Sequence, residues 1–383
     1  MKNLLVLIPS LNNGGIERVV SELSPYFNDF YDYTVVSLYD TPNDFNIKGR
    51  IIKLNHGFKK NVFSRTFFTA SRLLELTSLI MTMKPDVILS FGDLPNLFNI
   101  FSGISHKKLL SVRSTKSLEN REYGRKGQIF NKLINLLYNF ADGIICVSET
   151  SRKDLILNYG IKHELISVID NPVNIYNLQK KAEQKPEEGI FSPEHFNILS
   201  VGRFIPLKGF HHMIRVLASL NIEQNNKFRY ILVGYGPEEE NLRKLAIKES
   251  QEDSVIFAGR KENTIPYFKN TDLTVLLSTL EGFPNVVLES ISCNTPVLAT
   301  DCTSAIRTML QPDNSGKSKA GVIIPVFSDN YSSSLNEGEE RLKKEIIDIY
   351  TKRTVFTDDF SEYYRPFLAE NIARKFMKVI DNL

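Results

Sequence analysis

Glu281 and Glu289 stand with seven residues between them, on either side of the turn Gly282-Phe283-Pro284-Asn285. An apolar, strand-like run (273–277) precedes the turn, and residues with helical spacing follow it. A strand, a tight loop and a helix start put carboxylates and backbone N–H groups at the rim of a parallel sheet, where open α/β folds bind ligands. Carboxylates there accept hydrogen bonds from sugar hydroxyls, and N–H groups hold phosphate oxygens. The same glutamates would also suit a helix N-terminus that binds nothing.

A second stretch, Val201-Gly202-Arg203-Phe204-Ile205-Pro206-Leu207-Lys208-Gly209, follows a strand-like run and opens an amphipathic helix. Across such a turn Arg203 and Lys208 can converge on one diphosphate, Arg with a planar donor fork and Lys with a compact charge. Fixed cations stabilise a leaving diphosphate as its charge grows and can replace a metal ion. Taken alone, the pair is also what a solvated turn carries. Gly14 and Gly15, after the first strand-like run, let backbone approach a phosphate or sugar at a helix start, or make a simple turn. They do not complete the dinucleotide fingerprint, whose third glycine is missing.

In combination these segments resemble the retaining glycosyltransferases of family 4, which have two Rossmann-like domains. The match continues through Asn294-Thr295-Pro296-Val297 and Thr300, which stand where that family has Gly-x-Pro-Val and Thr. Asn294 replaces the usual glycine and suits a helix C-terminus, because Asn tolerates the left-handed conformation. The resemblance implies that Glu289 holds the ribose hydroxyls of a nucleotide-sugar and Glu281 the donor sugar. Arg203 and Lys208 would then stabilise the diphosphate, with Gly282, Phe283, Pro284, Asn285 and Arg260 also at the donor. Gly14 and Gly15 would close over the diphosphate and border the acceptor. Arg113 and Ser114 are acceptor-side candidates, although many relatives have a histidine where this chain has Arg113, so no protein base is evident. The departing phosphate oxygen would take the acceptor's proton, without metal or cofactor. The implied donor is a UDP-sugar, with GDP and ADP open. The implied acceptor is a lipid-linked or growing surface glycan in polysaccharide, lipopolysaccharide or capsule synthesis. A nucleotide-sugar epimerase or a non-catalytic nucleotide-sugar-binding protein are the alternatives. The missing fingerprint disfavours a nicotinamide dehydrogenase.

These residues need elements to position them. Apolar strand-like runs alternate with helical ones along nearly all of the 383 residues, which predicts parallel sheets with crossover helices. Such a length favours more than one domain. Expected strands are 4–8, 34–37, 51–54, 87–90, 109–112 and 144–147 in the first half. In the second they are 198–201, 230–233, 255–258, 273–277 and 297–299. The expectation is two Rossmann-like domains facing across a cleft, spanning 1–172 (acceptor side) and 173–359 (nucleotide-sugar side). A helical segment, 360–383, would return to the first domain. The polar stretch 179–193 is read as linker and loop, and His211 and His212 as structural.

The hydrophobic fraction of 42% and charged fraction of 24% are ordinary for a globular protein. A net charge of +3 gives no argument for nucleic acid. The first apolar run is too short for a signal peptide, and no run is long enough to span a bilayer. Three cysteines without a Cys-x-x-Cys unit fit a reducing cytoplasm and offer no structural metal. Between Lys107 and Phe140, basic residues interleave with apolar ones, and the segment 59–84 is basic at its start. Such a surface attracts anionic lipid at the inner face of the membrane, unless the apolar residues are core and the charges a solvated face.

Overall fold

In this computed structural model, residues 1–12, 14–42, 45–54, 62–103, 105–122, 124–327, 334–352 and 359–383 are described, with backbone alone at 62–68 and 122. The start of the basic segment 59–84 and Tyr123 lie outside the described residues or side chains. The chain divides into two units, Met1–Pro172 with Phe367–Leu383, and Val173–Pro366.

The first unit holds seven strands: β1 (Asn3–Ile8), β2 (Asp32–Ser37), β3 (Arg50–Lys53), β4 (Val87–Phe91), β5 (Lys107–Val112), β6 (Gly143–Cys146) and β7 (Ile166–Val168). Their spatial order is β3-β2-β1-β4-β5-β6-β7, all parallel. β1 reads as unbroken Leu and Val because a central parallel strand is covered by helices on both faces, and Leu4 to Ile8 are fully buried. The helix Ala369–Asp381 belongs to this unit. Its Ile372, Phe376 and Ile380 are fully buried, and the Phe376 ring lies 6.1 Å from Phe27 and 6.2 Å from Phe91. Each such side chain contributes about 1.5–3 kcal/mol by burial. The segment 360–366 stays with the second unit, where the Phe360 N–H donates to Asn294 Oδ1 at 3.0 Å.

The second unit repeats the plan with β8 (Phe196–Val201), β9 (Phe228–Val233), β10 (Val255–Gly259), β11 (Leu273–Leu276), β12 (Val297–Thr300), β13 (Lys317–Ser318) and β14 (Gly321–Ile324). The order is β10-β9-β8-β11-β12-β14-β13, parallel except for β13 against β14. In both sheets the order reverses beside the first strand, which makes two Rossmann-like domains with a topological switch point in each. The stretch expected as linker is partly helical, because the helix Ile175–Lys181 is capped by the Asn174 side chain accepting from the Asn177 N–H.

Candidate active site

The loops after β8 and β11 flank the switch point of the second sheet, and they carry Arg203, Lys208 and Glu281. They are joined directly: the Thr279 N–H donates to Leu207 O at 2.9 Å. Gly209 has φ +65, and a Cβ there would stand 2.4 Å from Leu277 O, so glycine alone lets the Lys208 turn lie against the end of β11. Lys208 Nζ then reaches Glu281 Oε1 at 2.5 Å, and Ser278 Oγ donates to the same oxygen at 2.7 Å. Both charged side chains keep some solvent contact, 21% for Lys208 and 14% for Glu281. Thr300 Oγ1 donates to Ser278 O at 2.5 Å and Thr303 Oγ1 to Gly282 O at 3.2 Å, so the end of β12 fixes the glutamate turn.

Arg203 is exposed, whereas its neighbour Phe204 is fully buried between Phe210 and Phe257. That anchor leaves the guanidinium at the solvent side of the rim. The Phe204 N–H donates to Tyr235 O at 2.9 Å, which brings the loop after β9 alongside. The Arg260 guanidinium, just past β10, lies 5.4 Å from the Tyr235 ring centre, and both residues are exposed. Phe283 and Pro284 are buried, while Gly282 and Asn285 are partly accessible. This turn therefore presents backbone, with the partly accessible Glu281 carboxylate just before it. Glu289 lies in the helix Asn285–Ser292 and is only 5% exposed. Burial, and then the Glu289 charge, push the Cys293 thiol up to about 12. Burial, and then Glu281, push Cys302 up to about 12 as well, so neither thiol is a nucleophile at neutral pH.

His212 has a carboxylate partner that spacing could not reveal. Its Nδ1 lies 2.9 Å from Oε1 of Glu339, which is fully buried and whose carboxyl is held below its ordinary value. Burial opposes that lowering, and hydrogen bonds from His212 and the Asn336 N–H outweigh it.

In the first unit Gly14 is extended and the helix Gly15–Phe30 begins directly after it. Glu17, in the first turn, is buried and accepts from Ser10 Oγ at 2.8 Å, and burial raises its carboxyl above the ordinary value. Arg113, past β5, donates to Asn171 Oδ1, and to Ser111 Oγ at 3.4 Å; burial pulls it down to about 10. Ser114 Oγ donates to Glu119. Both acceptor-side candidates are therefore engaged within their own unit.

The basic surface is smaller than its sequence suggests. Lys108 is buried, and the Lys116 side chain is 6% exposed, held 2.7 Å from Asp93 and 2.7 Å from Glu119. Arg121, Arg125, Lys126 and Lys132 are exposed. On the helix Gly124–Leu137, Arg125, Ile129, Lys132 and Leu136 fall on one face, with Ile129 59% and Leu136 66% exposed. Phe140, just beyond, is 69% exposed.

Two family models match, Glycosyltransferase Family 4 over residues 13–176 and Glycosyl transferases group 1 over residues 180–341. The chain is 25% identical over 339 residues to N-acetylgalactosamine-N,N'-diacetylbacillosaminyl-diphospho-undecaprenol 4-alpha-N-acetylgalactosaminyltransferase of Campylobacter jejuni, covering 86% of this chain and 88% of that protein. It is 22% identical to the amylovoran biosynthesis glycosyltransferase AmsD of Erwinia amylovora, covering 90% of this chain and 92% of that one. Among solved structures, Anabaena HepE in complex with UDP-glucose superposes with a TM-score of 0.74 at 18% identity, covering 100% of both chains. WaaG, a glycosyltransferase involved in lipopolysaccharide biosynthesis, gives a TM-score of 0.69 at 17% identity, covering 98% of this chain and 99% of that one. With one model on each half and the same fold throughout, the chain belongs to glycosyltransferase family 4 and is a glycosyltransferase.

Proposed function

We propose that this chain transfers a sugar from a UDP-sugar to a lipid-linked or growing surface glycan, with retention at the anomeric carbon. The observation that carries the reading is the Lys208–Glu281 pair beside exposed Arg203 at a switch-point rim. Arg203 and Lys208 hold the diphosphate and oppose its growing charge as the glycosidic bond to the sugar breaks. Glu281 accepts from the donor sugar's hydroxyls and Glu289 from the ribose. Arg260 meets the nucleotide beside Tyr235. The departing phosphate oxygen takes the acceptor's proton, which accounts for the absence of a positioned histidine at Arg113. Gly14, Gly15, Arg113 and Ser114 serve the acceptor side.

The two cations make the reaction metal-independent. Activity is expected to survive a chelator, and complete loss reversed by Mg²⁺ or Mn²⁺ would overturn that part. UDP is supported by the UDP-glucose complex of HepE, and a lipid-linked acceptor by the diphospho-undecaprenol in the name of the C. jejuni relative. Among the described residues no helix is long and apolar enough to cross a membrane. We place the enzyme at the inner face of the membrane, docked through the Arg125, Ile129, Lys132 and Leu136 face. The deciding experiment screens UDP-, GDP- and ADP-sugars for binding, then for transfer. UDP-sugar binding followed by acceptor-dependent transfer supports the reading. Release of a free epimerised sugar without acceptor would favour the epimerase.

A further inference from the structure

The helix Phe210–Glu223 starts at Gly209, so its first turn and the Lys208 turn are one piece of backbone. The Lys208 N–H donates to Ile205 O, the Gly209 N–H to Pro206 O and the His212 N–H to Gly209 O, each at 3.1 Å. A shift of His212 is thereby passed to Lys208. On its other flank the same turn is joined to the Glu281 loop through Leu207 O, which accepts from Thr279.

His212 is 3% exposed and so does not touch a ligand itself. Its ring is fixed on two sides by a distant part of the chain. Phe327 stacks on it with 4.3 Å between ring centres. Glu339, in the helix Glu337–Thr351, meets Nδ1 with Oε1 at 2.9 Å. The other carboxylate oxygen accepts from the Asn336 N–H at 2.9 Å, which caps that helix, and the Arg215 guanidinium stands 3.5 Å from it. Arg215 also donates to Ser334 O at 2.6 Å. The Glu339 carboxyl is held below its ordinary value, so it accepts and the His212 ring donates from Nδ1.

Two apolar residues of similar volume would pack here without the cost of burying a carboxylate. What the bonded pair adds is direction. An aliphatic contact can slide along a helix, whereas a hydrogen bond to a carboxylate already committed to a cap breaks when the helices slip. The pair thus sets the register of the helix Phe210–Glu223 at the end that carries Lys208.

We propose that His212 is a positioning residue for the diphosphate subsite: bonded to Glu339, it sets where the Lys208 turn stands against the Glu281 loop. The inference rests on the assignment of Lys208 to the diphosphate proposed above.

The test compares binding of UDP with that of uridine, which lacks the phosphates, by calorimetry on the full chain. Wild type should prefer UDP, and Lys208→Ala should lower that preference. His212→Phe keeps a ring on Phe327 and removes the Nδ1 bond. It should lower the preference about tenfold, the weakening of one charge-assisted hydrogen bond, and leave uridine affinity unchanged. In the Lys208→Ala background it should cost nothing further, because the contact it positions is gone. His212→Asn, whose amide can donate where Nδ1 does, should keep the wild-type preference. Where the bare Glu339 charge unfolds His212→Phe, combining it with Glu339→Gln removes that charge, keeps an oxygen for the Asn336 N–H and should show the same loss. An unchanged preference, an equal loss of uridine and UDP, or a full further loss without Lys208 would make His212 a packing residue and overturn the proposal. If Lys208→Ala itself keeps the wild-type preference, the diphosphate assignment falls and the positioning role with it. Loss in Lys208→Ala alone sinks the positioning role and leaves the assignment standing.

Discussion

Lys208 Nζ stands 2.5 Å from Glu281 Oε1, so the residue assigned to the diphosphate and the one assigned to the sugar share a bond before either ligand arrives. An unpaired carboxylate at that rim would repel phosphates, and Lys208 cancels it. Both side chains keep some contact with water, so the pair can open toward a ligand. Glu281→Gln should therefore bind UDP as tightly as wild type or severalfold more tightly, while transfer falls at least about tenfold. Titration calorimetry and initial rates check this. Loss of UDP affinity in the variant would move Glu281 from the sugar to the nucleotide.

Removing either cation should be felt in the chemical step. Arg203→Ala and Lys208→Ala should each cost about 2–4 kcal/mol of transition-state stabilisation, read as a fall in kcat/KM. Arg203 is exposed, so its variant should melt at the wild-type temperature. Near-wild-type turnover in both variants would mean that the diphosphate lies elsewhere.

Glu289 needs a gentler substitution, because it is 5% exposed and an alanine would leave a cavity. If it grips the ribose, Glu289→Gln should weaken UDP and the intact UDP-sugar by the same factor. Glu281→Gln should spare free UDP. A thermal melt separates lost contact from lost fold. Equal effects of the two variants on free UDP would reverse the division of labour.

Why some of this was legible in the sequence and some was not is physical. Leu4–Ile8 announces itself because a parallel strand covered on both faces must be apolar throughout. β7 and β13, with three and two residues, are too short for that signal. Asn294 in place of glycine was readable from backbone sterics and has φ +57; its second task, holding the Phe360 N–H, depends on tertiary contact. Arg203, Lys208 and Glu281 were visible as residue types on turns. Their direct pairing, the Glu339 carboxylate under His212 and the enclosure of Lys116 all join positions distant in the chain or in separate elements. A basic stretch looks alike in sequence whether its lysines face water or acids.

The buried His106 gives the first unit a pH dependence. Its Nε2 lies 3.2 Å from Asn99 Oδ1, and its Nδ1 has no hydrogen-bond partner among the described residues. Burial, then the charge of Lys108, pull its pKa from 6.5 to about 4. The folded state thus binds this proton less readily than the unfolded chain does. The contribution to stability is whole above the unfolded pKa and is lost as pH falls through the interval down to the folded one, roughly 3 kcal/mol in all. Urea unfolding at about pH 7 and about pH 4.5 should show the fall, and His106→Gln should remove most of that difference. An unchanged pH slope in the variant would assign the acid sensitivity to other groups.

Membrane docking has an electrostatic and an apolar component, and salt distinguishes them. Charges near an anionic surface contribute roughly 1 kcal/mol each and are screened. Burial of an Ile or Leu contributes about 1.5–3 kcal/mol and is not screened. Arg125→Glu with Lys126→Glu should therefore weaken binding to anionic vesicles at low salt, with little further effect at high salt. Ile129→Ser with Leu136→Ser should weaken it at both. Lys116→Glu belongs to neither class: its side chain is enclosed between Asp93 and Glu119, so a third carboxylate there should lower the melting temperature before it reports on any membrane. Vesicle sedimentation over a salt series decides between the components. If wild-type protein stays in solution with anionic vesicles at low salt, the exposed face is an ordinary solvated surface and the acceptor reaches the enzyme from solution.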